Sequence, residues 1–303
     1  MSDTTPVEEV LPFSCAQALL WGILSRPPTG AAESSIAVVI VVGGPQYRVG
    51  SHRQFVLLAR TLARHGFPTL RFDYRGMGDS EGAVRDFQAI GPDLQAALDA
   101  LCKACPESRS VVVWGLCDAA SAALMFATAD PRVTGIVAAN PWARSDASLA
   151  AARVKYYYAS RLMQRQFWTK LLWGGLDLRA SMGSLVGNLK GARAFHRKGP
   201  GGRKGDSFQT TMAHGLAIFR GRLLLILSGN DLTAKEFVQY TDSAVEWRGL
   251  LGDPKVSRVD LPDADHTFSR RVWLSTVERE TVAWLTRLGE PARLQVQRIG
   301  EDS

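Results

Sequence analysis

Short, almost continuously apolar segments alternate along the chain with longer segments whose apolar residues recur every three or four positions. The first kind is typical of strands buried on both faces of a sheet, and the second of helices that cover a sheet. The predicted strands are "AQALLWGILSRP", "SIAVVIVVGG", "PTLRFDYRG", "SVVVWGL", "VTGIVAANP", "RLLLILSG" and "KVSRVDLP". Such alternation predicts an α/β fold with a mostly parallel, doubly wound sheet, in which the first of these strands belongs to a leading antiparallel pair.

Five segments with helical periodicity follow these strands. They are "SHRQFVLLARTLARHGF", "DFQAIGPDLQAALDALCKAC", "CDAASAALMFATA", "AKEFVQYTDSAVEWRGLL" and "RRVWLSTVERETVAWLTRLG". Each has the length of an ordinary helix and lies between two predicted strands or after the last one.

The alternation is interrupted between "VTGIVAANP" and "RLLLILSG", which are the sixth and seventh strands when both strands of the leading antiparallel pair are counted. A glycine-rich basic stretch, "HRKGPGGRKGDS", and helical segments fill the interval. An insertion at this place in an α/β sheet is typical of a lid over the binding site. We therefore expect a core formed by residues 1–141 and 220–290, a basic helical cap at 142–219 and a C-terminal tail at 291–303.

The insertion carries most of the positive charge. The chain has a formal net charge of +7, and fourteen Lys or Arg lie against three Asp between Ala143 and Gly221. Three interpretations stay open: an ordinary solvated surface, attraction of an anionic acyl substrate, or peripheral docking to anionic lipid through "YYYASRLMQRQFWTKLLW". No nucleic-acid-binding module is recognisable, so no nucleic-acid partner is expected.

Composition indicates a folded protein, with 46% apolar and 21% charged residues. The first residues lack the basic-then-apolar order of a signal peptide, and the run "IAVVIVVGG" is too short to span a bilayer. The expected location is the cytoplasm.

Cys102 and Cys105 form a C-x-x-C at the end of a predicted helix. Redox pairs of this kind lie at a helix N-terminus, where the helix dipole lowers the thiol pKa, so this one is at the wrong end. No second Cys/His pair lies nearby to complete a zinc site. We expect no metal and no cofactor.

The stretch "VVVWGLCDAASAAL" predicts a buried strand that turns sharply into a helix at Cys117. Such a turn crowds the neighbouring backbone, and the small residues Gly115 and Ala119 suit it. It exposes the sulfur above the carboxyl ends of the strands and places it at a helix N-terminus, which favours thiolate. The alternative is that Cys117 is a small buried apolar residue.

A nucleophile at such a turn requires an acid and then a histidine, in that chain order. Asp231 follows the seventh strand in "SGNDLT", and His266 follows the eighth in "LPDADHTFS". Both lie in loops at the required ends of strands, which favours a Cys117–His266–Asp231 triad. Asp263 and Asp265 are the alternative acids. The remaining histidines are weaker candidates for the catalytic base. They are His52, His65, His196 and His214.

The stretch "FDYRGMGDSEG" resembles the signature of α/β-hydrolases of the serine aminopeptidase and lysophospholipase type. Together with "VVGGPQYRVGSHRQF" and "WGLCDAASAAL", it is similar to the hydrolases associated with the exosortase A system. The resemblance spans roughly residues 15 to 288. It implies an α/β-hydrolase fold and a link to exopolysaccharide production and surface-protein sorting in Gram-negative bacteria.

The resemblance implies that Cys117 attacks an acyl carbonyl while His266 transfers the proton and Asp231 orients the imidazole. The backbone N–H of Asp118 would hold the oxyanion together with an amide from the loop "GGPQYR". Many members use the residue after His-Gly there, but Pro45 has no N–H. Gln46 is therefore the expected second donor, with Gly44 behind it, and Gly44 and Tyr47 are expected to contact the substrate.

A thiol suits activated acyl groups such as esters, thioesters and enol lactones better than amides. An esterase or thioesterase acting on a small acyl substrate is therefore expected ahead of a peptidase. Two alternatives stay open: an acyltransferase that uses the same triad, and a non-catalytic binding protein of this fold, in which the Cys-for-Ser exchange and Pro45 mark a lost activity.

Overall fold

The structure of the protein is a computed structural model that describes residues 5–44, 46–144 and 207–290. Eight strands form one sheet in the order β1-β2-β4-β3-β5-β6-β7-β8. Strand β2 pairs antiparallel with β1 and β4, and the pairs from β4 to β8 are parallel. The strands are β1 Val7–Cys15, β2 Ala18–Arg26, β3 Ile36–Val41, β4 Thr69–Phe72, β5 Ser110–Leu116, β6 Val133–Ala139, β7 Arg222–Ser228 and β8 Val256–Leu261.

Within the described residues, six α-helices flank this sheet. They are α1 Gln54–Arg64, α2 Gly91–Ala104, α3 Asp118–Phe126, α4 Phe208–Ile218, α5 Leu232–Ser243 and α6 Arg271–Gly289. The predicted fold, a mostly parallel α/β sheet with a leading antiparallel pair, is confirmed.

Strand β3 shows why the chain folds this way, because all six of its residues are buried. Val39 and Val41 face one core, which α2, α3, α4 and α5 cover. Val38 and Ile40 face the other core, which α1 and α6 cover. A strand with helices packed on both faces must be apolar throughout, which is the pattern that the sequence shows.

Helix α5 is shorter than the sequence predicts. It ends at Ser243, and two short 3-10 turns follow at Val245–Trp247 and Leu250–Gly252. The extended backbone of Ala244 redirects the chain, so that the Trp247 ring packs edge-on against Phe237 with 5.4 Å between ring centroids. Burial of Trp247 therefore outweighs continuation of the helix.

Helices α1 and α2 begin later than the sequence predicts. His52 and Arg53 both have a positive φ, so α1 starts at Gln54. The start of α2 is preceded by a 3-10 turn at 87–89, and the helix itself begins at Gly91 with Pro92 in its first turn. Proline is tolerated there because the first helical N–H groups have no partner inside the helix.

The predicted cap and tail fall on residues that the structure describes only in part. Residues 145–206 and 291–303 lie outside the described residues. The chain divides into one unit of residues 1–143 and 208–303 and a second of residues 144–207. Helix α4, which the sequence assigned to the cap, belongs to the first unit and packs against α3. Its Met212 and Leu216 complete the core on that side.

Within the described ranges, no helix is both long enough and apolar enough to cross a membrane.

The loop after β4 is fixed by buried charge. Arg75 donates to both carboxylate oxygens of Asp93 on α2, each at 2.8 Å, and both residues are buried. Gly78 has a φ of 51°, and a Cβ there would lie 2.2 Å from Asp73 Oδ2. The Asp73 carboxylate in turn accepts from the Arg48 backbone N–H at 2.6 Å and pairs with its guanidinium. The loops after β3 and β4 are therefore held to each other.

The Arg75–Asp93 pair gives a test of this packing. Asp93→Ala leaves a buried guanidinium without its partner, and we expect it to lower the free energy of unfolding by about 3–5 kcal/mol. Asp99→Ala on the same helix is the matched control, because the Asp99 side chain is 61% exposed and its ion pair with Arg132 lies at the surface. That variant should lose less than about 1 kcal/mol. Equal losses in urea titrations of the two variants would contradict the assignment.

Candidate active site

Cys117 occupies a strained turn between β5 and α3. Its φ is 62° and its ψ is −126°, a conformation that residues with a Cβ rarely adopt. The turn is tight enough that a Cβ on Gly115 would lie 2.6 Å from the backbone of Ala119. Strain of this kind persists only where the surroundings enforce it, and it concentrates at functional sites.

Backbone hydrogen bonds hold both sides of this turn. The Cys117 N–H donates to Ala139 O at 3.0 Å, and the Trp142 N–H donates to Cys117 O at 3.2 Å. The Ser121 hydroxyl donates to Trp142 O at 2.7 Å. The half-buried thiol therefore lies at the N-terminus of α3, where the helix dipole favours a negative charge.

Asp231 lies where β7 leads into α5. Its carboxylate caps that helix by accepting from Thr233 N–H and Ala234 N–H, both at 3.1 Å. The side chain is almost completely buried. Capping therefore fixes the orientation of the carboxylate.

The same carboxylate holds His266. His266 Nδ1 lies 2.8 Å from Asp231 Oδ2, which leaves Nε2 as the ring nitrogen for a reacting group. Hydrogen bonding to Asp231, and secondly to Cys117, raises the pKa of His266 to about 10. The imidazole is therefore held in its charged form at neutral pH by two acidic neighbours.

The alternative acids are placed differently. The Asp265 carboxylate accepts from Thr267 N–H at 3.2 Å and Ser269 N–H at 2.9 Å, so it stabilises its own loop. Asp263 is exposed. Among the described aspartates, the structure brings Asp231 to His266.

The other histidines that the structure describes lie at the surface. His52 is exposed before α1, His65 bonds to the backbone at the end of α1, and His214 is exposed on α4. His196 lies outside the described residues.

The loop after β3 is tied to the turn that carries Cys117. Gly44 N–H donates to Asp118 Oδ1 at 2.7 Å, so this amide is already engaged. The Gln46 side chain accepts from Ser51 N–H at 3.1 Å and from Gln54 Nε2 at 3.4 Å, which holds residue 46 in the loop. Pro45 lies outside the described residues. Tyr47 is half exposed.

Asp118 therefore has two roles in the local structure. Its backbone begins α3, and its side chain anchors the loop after β3. Burial raises the pKa of this carboxyl, although hydrogen bonds from Gly44 and Ala119 oppose the shift.

The C-x-x-C is not arranged for redox chemistry. Cys105 is buried at the C-terminal end of α2, and burial raises the pKa of its thiol to about 11. Arg26 donates to Ala104 O at 2.6 Å and so caps the helix end beside it. No metal-ligand cluster is found in the part of the chain that the structure describes.

Asn140 and Ser228 are site residues that the sequence analysis missed. Both are buried polar residues at the carboxyl ends of otherwise apolar strands, β6 and β7, and they hydrogen-bond to each other. The sequence pattern that could have identified them is a polar residue at the end of an apolar strand, because these strand ends form the binding edge of a parallel sheet.

Fold and site together define an α/β hydrolase. A sequence profile of the serine aminopeptidase S33 family matches residues 33–185, half of the chain, and the chain belongs to this family. The family is named for serine, whereas the residue at the strained turn of this chain is Cys117.

Solved structures with the same fold include an esterase from Pyrococcus furiosus, which is 17% identical, with 94% of this chain and 92% of that chain covered and a TM-score of 0.63. Est1E from Butyrivibrio proteoclasticus, solved with ferulic acid, is 13% identical, with 91% and 98% covered and a TM-score of 0.59. A dienelactone hydrolase from Anabaena variabilis is 17% identical, with 93% and 98% covered and a TM-score of 0.58. At these identities the likeness shows the fold alone. No curated protein matches the chain in sequence.

His266 makes stability depend on pH. Its pKa is raised from 6.5 to about 10 in the folded chain, so its contribution is fully present below about pH 6.5 and is lost as the pH rises through 10. The difference in unfolding free energy between wild type and His266→Gln should therefore shrink from pH 6 to pH 10.5 in urea titrations. A difference that is constant over this range would show that the pKa of His266 is the same in the folded and unfolded chain, which contradicts the raised value.

The Asp118 side chain can be tested by separating its charge from its hydrogen bond. Asp118→Asn keeps an oxygen that accepts from Gly44 N–H, whereas Asp118→Ala loses it and frees the loop. We expect kcat/KM for an activated aryl ester to fall by roughly 100-fold in Asp118→Ala, the cost of misplacing one oxyanion donor. Asp118→Asn should stay at or above the wild-type value, since it removes a negative charge beside the expected oxyanion position. An equal loss in both variants would assign the effect to the charge.

Proposed function

We propose that this protein hydrolyses carboxylic ester or thioester bonds through a covalent acyl-enzyme on Cys117. The observation that carries the proposal is the Asp231–His266 hydrogen bond beside the strained turn of Cys117, with Cys117 among the groups that raise the pKa of His266. The esterase and dienelactone hydrolase activities named for the structural neighbours belong to those proteins, and they favour ester chemistry as the first to test here.

Acylation begins with attack of Cys117 Sγ on the carbonyl carbon. A C–S bond forms, and the carbonyl π electrons move onto oxygen. When the tetrahedral intermediate collapses, the bond to the leaving alkoxide or thiolate breaks, and His266 gives that group its proton. The product is a thioester between the acyl group and Cys117.

Deacylation reverses the proton path. His266, now neutral, takes a proton from water as the water oxygen attacks the thioester carbonyl. The C–S bond then breaks, the carboxylic acid leaves, and the thiolate and imidazolium are restored. Another nucleophile in place of water would give acyl transfer, which product analysis separates from hydrolysis.

The high pKa of His266 supports its role as the acid of the first step. Because the imidazole is held protonated up to about pH 10, its proton is available for the leaving group in the first step. We expect kcat/KM to be bell-shaped with pH, with limits that belong to the pair rather than to one residue.

The oxyanion site in this proposal comprises the backbone N–H groups of Asp118 and Gln46. Gly44 lies behind them, since its amide is engaged by the Asp118 carboxylate. Hydrogen bonds to the Gln46 side chain hold that residue and so support a fixed position for its amide. Gly44 and Tyr47 are the proposed substrate contacts.

The biological setting follows from the motif resemblance. We place the protein among the hydrolases associated with the exosortase A system, in the cytoplasm, acting on a small acyl substrate. The fourteen cations between Ala143 and Gly221 favour an anionic acyl donor or a peripheral contact with anionic lipid.

The nucleophile is tested by two substitutions of Cys117. Cys117→Ala removes the attacking atom, and we expect activity on any ester that the wild type hydrolyses to fall to background, a loss on the order of 10⁶ in comparable triads. Cys117→Ser is nearly isosteric and should fold normally. Its activity should lie between that of the wild type and that of Cys117→Ala, because an alcohol needs fuller proton removal by His266.

Cys102→Ala is the matched control, since it removes a half-buried thiol from α2 and should keep wild-type turnover. Near-normal turnover by Cys117→Ala would end the proposal.

A further inference from the structure

Asn140 lies at the end of β6 with its side chain completely buried. Its Nδ2 donates to His266 O at 3.0 Å and to Ser228 Oγ at 2.9 Å. Its Oδ1 accepts from Ser228 N–H at 2.8 Å, and Ser228 Oγ donates to Asp265 O at 2.9 Å. One amide and one hydroxyl thus hold two successive carbonyls of the loop that carries the histidine.

The same segment holds the nucleophile. Ala139 O, just before Asn140, accepts the Cys117 N–H, and Trp142 N–H, just after Pro141, donates to Cys117 O. Asn140 and Pro141 lie between these two backbone bonds to the turn of Cys117, and Asn140 carries the polar side chain. Ser228, its partner, ends β7 three residues before Asp231. Hydrogen bonds of residues 139–142 and Ser228 thus connect the three loops of the triad.

The backbone of Asn140 indicates a requirement at this position. Its φ is 43°, in the left-handed region that asparagine tolerates better than other residues with a Cβ. Its N–H donates to Ile226 O at 2.9 Å, so the turn is also fixed from β7. A buried amide in this conformation is stable only because each of its polar atoms has a partner.

We propose that Asn140 is a positioning residue that sets the approach of the His266 imidazole to the Cys117 sulfur, with Ser228 as its partner. The inference rests on the proposed triad. Asp231 orients the imidazole ring at Nδ1, but one side-chain bond does not by itself fix the backbone of the loop. Holding the carbonyls of Asp265 and His266 removes this freedom.

A shift of about 1 Å in a reacting group can reduce the rate by about 100-fold. Release of the His266 loop should therefore weaken its contacts with Asp231 and Cys117 together. The pKa of His266, which those contacts raise, should then fall towards its ordinary value. A residue that only supports the fold would leave this titration unchanged.

The experiment compares Asn140→Gly and Ser228→Ala with the wild type. Glycine accepts a φ of 43° without strain, so the first variant removes the side-chain bonds but keeps the turn. Gln209→Ala is the matched control, because Gln209 is also buried on α4 and donates to a backbone carbonyl, Ala143 O at 3.2 Å. The readouts are kcat and KM for an activated aryl ester, and the pH profile of iodoacetamide alkylation at Cys117, followed by peptide mass spectrometry.

We expect Asn140→Gly to lower kcat by roughly 10- to 100-fold with little change in KM, and to move the alkaline step of the alkylation profile, at which His266 loses its proton, to lower pH. Ser228→Ala should act in the same direction, and the double variant should lose little more than Asn140→Gly, because both act through one network. Gln209→Ala should keep kcat and the alkylation profile.

The inference is overturned if Asn140→Gly and Ser228→Ala unfold more easily but retain kcat and the alkylation profile, as the control does. If Asn140→Gly fails to fold, Ser228→Ala alone decides, by the same two readouts. Failure of the proposed function would give a different result. Cys117→Ala would then keep turnover, regardless of the kcat of Asn140→Gly.

Discussion

The left-handed turn at Cys117 is the constraint around which the site is arranged. It exists because β5 ends against α3 so closely that only glycine fits at residue 115. The neighbouring strand β6 supplies the bonds that hold the turn from both sides, through Ala139 and Trp142. Any relaxation of this contact would move the sulfur, since its position is set by backbone rather than by a flexible side chain.

Two helix N-termini and two carboxylates determine the electrostatic surroundings of the Cys117 sulfur and the His266 imidazole. Cys117 lies at the N-terminus of α3, and the N-terminus of α5 orients the Asp231 carboxylate beside His266. The imidazole is hydrogen-bonded to both acidic groups, which accounts for its raised pKa. The Asp118 carboxylate adds a third negative group, and its bond to Gly44 couples the loop after β3 to the same turn.

The sequence predicts the fold well because strands buried on both faces are apolar throughout, as β3 is. It also names Asp231 and His266, because chain order and strand ends limit the choice. It does not predict the Gly44–Asp118 or Asn140–His266 bonds, which join residues 74 and 126 positions apart and depend on tertiary packing. The early end of α5 was missed for a similar reason, because burial of Trp247 is not a local property.

The most direct test of the account is to trap the acyl group on the protein. The wild type is mixed with a slowly hydrolysed aryl ester, quenched with acid within the first turnover, and mapped by peptide mass spectrometry. The account predicts one acyl group on the peptide that contains Cys117, released by hydroxylamine, and none on Cys117→Ala. Steady turnover with no acyl group on Cys117, or with the acyl group on another residue, would contradict it.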